Sequence, residues 1–269
     1  MVKKALKYLV LFDHDGTLCH EDKFETESFK FAFNFAAQRI NEPINNDIDI
    51  EQLKRDVKGT TERNLVRQYC LLSNIPYSKL EAFESSFYFG RAKWYEAMKS
   101  GNEFIWSSYY PDSYYILSKL AKDKKYTTSL ITGNPKELIG IKVPGEILNY
   151  FIGKNGIKGV FGDQADTREE LLEMAIDQAV KLWKGFEVSR DTHGFVENVF
   201  YIADSKSDFF AGINSKIKTI WIPSRNHKDC LDLIDDISIK YIINSLKGRA
   251  LITNDLSSTE TLKMLNLTR

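Results

Sequence analysis

The chain has 269 residues, 43% hydrophobic and 13% aromatic, enough to bury a full core in one large domain or in a domain carrying a second module. Lys+Arg and Asp+Glu both number 37, so there is no basic field for nucleic acid or an anionic membrane, and a small-molecule partner is expected. Cys19, Cys70 and Cys230 are odd in number, far apart and without CxxC spacing, which argues against a disulfide framework or a zinc site and fits a reducing cytoplasm. Lysines precede an apolar run at the amino terminus, but that run is too short for a signal peptide and ends in two aspartates. No stretch approaches the roughly 18 apolar residues of a membrane span.

The run Tyr-Leu-Val-Leu-Phe at 8–12 is continuous, apolar and rich in strand formers, the pattern of a strand buried on both faces of a parallel sheet. From residue 19 to about 110 the period becomes helical. Phe29, Ala32, Phe33, Ala36 and Ile40 share one face, with Phe31 and Phe35 on another. Leu65, Val66, Tyr69 and Leu72 mark a second helix, and Leu80, Phe83, Phe87, Trp94 and Met98 a third. Pro111-Asp112-Ser113 reads as a helix start, and the cations of 122–125 suit that helix's carboxyl end. An α/β alternation follows: strands at 127–131 and 159–161, a helix at 168–184 with Leu171, Leu172, Ala175, Ala179 and Leu182 inward, then strands at 198–203, 218–222 and 241–243. A short capped helix is expected in the tail beyond residue 254. Such alternation predicts an α/β fold, a Rossmann-like three-layer core with a parallel sheet, plus an inserted α-helical unit.

The chemistry gathers at the carboxyl ends of the predicted strands, the edge at which open α/β sheets bind ligands. Asp13 and Asp15 close the first strand. At about 4 Å and an effective dielectric near 20 two carboxylates repel by roughly 4 kcal/mol, so a cation is expected beside them. Thr132-Gly133-Asn134 follows the second strand, Arg168 opens the helix after the third, and Asp204 and Asp208 follow the fourth. Each motif alone reads equally as a turn or a helix start. His14, His20, His193 and His227 have no metal spacing, and His20 is close enough to the first motif to be weighed as a substrate contact.

Asp13-His14-Asp15-Gly16-Thr17, the Thr of Ile131-Thr132-Gly133-Asn134, a basic residue opening a helix and Ala203-Asp204-Ser205-Lys206-Ser207-Asp208, in that order, resemble the motifs of the haloacid dehalogenase-like superfamily. The subgroup most similar is that of the phosphoglycolate phosphatase and β-phosphoglucomutase-like hydrolases. The resemblance covers the whole chain and implies a core of residues 1–18 and 111–269 with a helical cap of residues 19–110. It implies a Mg²⁺-dependent phosphatase for small phosphorylated metabolites. Asp13 would be the nucleophile and Asp15 the acid/base. A carboxylate oxygen of Asp13, the backbone carbonyl of Asp15 and the carboxylate of Asp204 would hold Mg²⁺, with Asp208 orienting the metal's waters or the basic residue. Thr132 and the backbone N–H groups of Gly133 and Asn134 would bind phosphoryl oxygens, and Arg168 would neutralise charge.

Arg168 stands where the family often has Lys, and Lys154, Lys158 and Lys206 compete for that role. Ala203 replaces a usual Gly. Residues 57–61 resemble the substrate loop of the cap, so Lys58 and Arg63 are candidate contacts to a second anionic group. The rival readings are a sugar phosphomutase of the same superfamily and a catalytically silent binding protein that kept the fold. The sequence sets no oligomeric state.

Overall fold

The computed structural model describes residues 6–20, 22, 24–45, 47–57, 61–100, 108–151, 159–223, 237–246 and 248–267, without the side chains of 237–240. A six-stranded parallel sheet forms its centre, in the order β3-β2-β1-β4-β5-β6: Tyr8–Phe12 (β1), Tyr126–Thr132 (β2), Val160–Phe161 (β3), Val196–Ala203 (β4), Ile217–Trp221 (β5) and Ala250–Ile252 (β6). The alternation of side chains along β1 explains its unbroken apolar run. Leu9 and Leu11 pack on one face with Leu171, Leu172 and Ala175, whereas Val10 and Phe12 pack on the other with Ile116, Leu117 and Leu120. Pro111–Lys122 (α5), Lys136–Lys142 (α6), Gly145–Phe151 (α7), Arg168–Leu182 (α8) and Lys206–Asn214 (α9) accompany these strands. Ile237–Ser245 (α10) and Thr259–Met264 (α11) follow towards the carboxyl end.

Helices Glu25–Arg39 (α1), Ile50–Asp56 (α2), Glu62–Leu72 (α3) and Leu80–Ser100 (α4) lie between β1 and α5 and have a core of their own. The Phe33 ring stacks on Tyr69 at 3.8 Å and meets Phe87 at 4.6 Å, so Phe29, Phe33, Tyr69, Phe83 and Phe87 build its interior. Phe31 and Phe35, on the other face of α1, stack at 6.0 Å, with the Arg39 guanidinium over Phe35 at 5.7 Å. Asp49 and Thr61 cap α2 and α3. No helix among the described residues is long and apolar enough to cross a membrane.

The structure departs from the sequence reading in three places. Residues 241–243, expected as a strand, lie within the helix α10, and the sixth strand is Ala250–Ile252. A three-residue apolar run has no period of its own, and its neighbours decide its form. Leu182, expected inward on α8, is half exposed, because α8 ends there and Trp183 takes the buried position. Leu72 likewise sits exposed in the last turn of α3.

Candidate active site

Asp13, at the end of β1, hangs from the sheet by its own N–H, which donates to Ile202 O of β4 at 2.9 Å. The chain then turns at Gly16, whose φ of +77° favours glycine and where a Cβ would fall 2.3 Å from Asp204 Oδ2. Only a residue without a side chain lets this loop pass so close to the acid from β4. Asp204 is fixed from both ends: Thr17 Oγ1 donates to its Oδ1 at 2.8 Å, and Trp221 Nε1 donates to its backbone carbonyl at 2.6 Å.

Arg168 enters as the first residue of α8, whose start is set by a capping box between Thr167 and Glu170. Its Nη1 donates to Asp13 Oδ1 at 3.3 Å, and its Nε pairs with Asp208 Oδ1 at 2.9 Å. Asp208 is held by Tyr201 Oη at 2.9 Å and Ser205 Oγ at 2.6 Å, and Ser205 is also the cap of α9. Of the competing lysines, Lys206 has its ammonium 6.0 Å from the Phe210 ring, and Lys154 and Lys158 lie outside the described residues.

Asp13, Asp204 and Asp208 are all buried, and the Arg168 guanidinium lies against Asp13 and Asp208. Burial pushes the Asp13 carboxyl up to about 7, with Asp208 and Asp15 adding to the rise and Arg168 opposing it. The donor set is all oxygen and the local charge is negative, which fits a hard divalent cation.

Asp15 has a different environment. Its carboxylate accepts from Asn134 Nδ2 at 2.6 Å, from Lys142 Nζ at 3.1 and 3.2 Å, and lies 3.2 Å from His14 Nδ1. Burial works against its charge, but Lys142, His14 and Asn134 outweigh it and hold the carboxyl well below the usual carboxylate range. Thr132 Oγ1 accepts from the Asn134 backbone N–H at 3.2 Å and from Asn134 Nδ2 at 3.0 Å, so the Thr132 turn is also what aims Asn134 at Asp15.

A cavity of about 440 Å³ joins these groups. Asp13, Asp15, Thr132, Gly133, Asn134, Arg168, Asp204 and Asp208 all line it, with Glu25, Phe29, Lys54 and Leu65 from the helical insertion opposite. The insertion is docked at the start of α3. Thr61 Oγ1 donates to Ala165 O at 2.6 Å, and the Glu62 and Arg63 N–H groups donate to Gly133 O and Gly162 O at 3.1 Å each. The Arg63 guanidinium is turned to Gln164 O at 3.3 Å and Asp166 at 3.5 Å and is not among the lining residues. Lys58 lies outside the described residues. His20 rests against Tyr110, with ring centroids 4.3 Å apart.

Two members of the site escape sequence reasoning. His14 is fully buried, with Nε2 2.6 Å from Tyr109 Oη, although its sequence neighbours alone left it unassigned. Lys142 is buried on the inward stripe of α6 with Leu138 and Ile139, and a lysine on the apolar face of a short helix was the available signal.

No protein-family model and no curated protein matches the sequence. Solved structures do match over nearly the whole chain. A HAD hydrolase of family IA, variant 3, from Entamoeba histolytica aligns with a TM-score of 0.54 at 15% identity over 97% of this chain and 98% of its own. A predicted phosphatase from Clostridium acetobutylicum gives 0.53 at 18% identity over 98% and 100%. A candidate β-phosphoglucomutase from Bacteroides vulgatus gives 0.52 at 14% identity over 98% and 90%. With a parallel sheet, a helical insertion after β1 and this likeness, the chain has the fold of the haloacid dehalogenase-like hydrolases.

Proposed function

We propose that the protein is a Mg²⁺-dependent phosphatase of small phosphomonoesters that works through a phospho-Asp13 intermediate. The observation that carries the reading is the convergence of Asp13, Asp15, Thr132, Arg168 and Asp204 on one cavity whose size suits a metabolite. Asp13, with Arg168 beside it, attacks phosphorus, and the ester oxygen departs with a proton relayed from the phosphoryl group of the bound ester through Asp15, which the free protein holds ionised. Water then attacks the phospho-Asp13 phosphorus, gives its proton to Asp15, and phosphate leaves with Asp13 restored. Arg168 offsets the charge of the transferring group, and Asp208 keeps the guanidinium pointed at Asp13. Thr132 lines the floor where phosphoryl oxygens would rest. The helical insertion covers the cavity and limits water during the first transfer.

Mg²⁺ would be held by carboxylate oxygens of Asp13 and Asp204 and the backbone carbonyl of Asp15, where it supplies positive charge to the phosphoryl oxygens. The close approach of Gly16 to Asp204 and the burial of the Asp13 and Asp204 carboxylates support that assignment.

The test is phosphate release from a panel of phosphorylated metabolites and an aryl phosphate, with Mg²⁺ and with EDTA, without any bisphosphate. Release that EDTA abolishes is the expected result. Transfer that needs a bisphosphate activator would instead mark a mutase, and no turnover with any ester would leave a binding protein.

A further inference from the structure

The Lys142 ammonium is a buried charge beside Asp15. The residue is 1% exposed, at the last turn of α6, and beyond its pull on the charge of Asp15 it has no part in the steps above. Its Nζ lies 3.1 and 3.2 Å from the two oxygens of Asp15 and 3.2 Å from Asp22 Oδ2, and 5.7 Å from the centre of the Tyr95 ring. Asp22 belongs to the segment that leads from the Asp15 turn into α1, and it accepts a hydrogen bond from the hydroxyl of Tyr95 on α4. One ammonium therefore ties the acid/base to α6 and to the helical insertion that covers the cavity.

We propose that Lys142 is a positioning residue for hydrolysis of the phosphoenzyme: by gripping both oxygens of Asp15 and sharing Asp22, it fixes the carboxylate that receives the proton of the attacking water. The inference rests on the phosphatase reading. Apart from Lys142, that carboxylate, on two rotatable bonds, is held among the described residues by Asn134 at one oxygen and by His14 and the Cys19 thiol at the other. A misplacement of about 1 Å in a reacting group costs roughly 100-fold in rate. In that step the water oxygen bonds to phosphorus, the bond from phosphorus to Asp13 breaks, the water proton passes to Asp15 and inorganic phosphate leaves.

The experiment uses the full chain, Mg²⁺ and 4-nitrophenyl phosphate, whose phenolate leaves without needing a proton, so that only the second step demands Asp15. Wild-type turnover tests the phosphatase reading itself, and the comparison of variant with wild type tests Lys142. In Lys142→Met, rapid mixing should give a burst near one nitrophenolate per enzyme followed by turnover slowed about 100-fold, with phospho-Asp13 accumulating in the intact-protein mass spectrum. Lys142→Gln keeps an N–H donor and should recover part of the turnover. The Gln variant also decides the matter if the Met variant does not fold, since a retained burst with slowed turnover supports the positioning role there too. Equal loss of burst and turnover, as from a packing role, or turnover at the wild-type rate would overturn the proposal.

Discussion

At the residue scale, two aspartates two positions apart in one turn have opposite electrostatic settings. Asp13 is pushed up to about 7 by burial, and Asp15 is held well below the usual range by Lys142, His14 and Asn134 despite burial. A carboxyl raised to about 7 carries a proton below that pH in the metal-free protein, and Mg²⁺ needs it ionised. Magnesium binding should thus release close to one proton at pH 6 and almost none at pH 9, with affinity falling as the pH drops below about 7. Calorimetry in buffers of different protonation enthalpy measures this, and a proton release of zero at both pH values would contradict it. The motif residues were legible as a group because the turns after β1, β2 and β4 and the start of α8 open onto one edge of the sheet, where they line one cavity. The partners that set their charges were less so, since Lys142 lies ten positions beyond Thr132 on a helix with no motif of its own.

At the element scale, the sheet edge and the start of α3 act together. Thr61 caps α3 by accepting from Asn64 N–H at 3.3 Å, and the same hydroxyl donates to Ala165 O beyond β3. Thr61→Ala removes both bonds, and loss of a helix cap costs about 1 kcal/mol. The thermal midpoint should fall by roughly 2–4 °C for each kcal/mol lost, with Thr61→Ser restoring most of it. A midpoint equal to wild type in the Ala variant would mean that this contact does not hold the insertion to the core. β1 could be read directly because a strand buried on both faces is a continuous apolar run, and β2, despite Thr127, Thr128 and Ser129, from its β-branched residues and the Thr-Gly-Asn-Pro turn that ends it. The run at 241–243 could not, because it occurs in a helix that is itself strongly apolar. Short helices such as α6 and α7 are set by tertiary packing against the sheet rather than by a period long enough to detect.

At the scale of the whole molecule, the parallel strand order brings residues 13, 132, 168 and 204 to one place, with β1 as the strand from which the order runs outward both ways. The insertion after β1 then adds a second wall with its own aromatic core. If Asp13 carries the phosphoryl group, as proposed, then replacing its carboxylate while keeping its shape removes the nucleophile. Asp13→Asn, assayed for phosphate release with Mg²⁺ beside a thermal-melting control, should retain a folded, cooperative transition and lose turnover by at least about 1,000-fold. Hydrolysis by that variant at a rate near the wild type's would show that Asp13 does not carry the phosphoryl group.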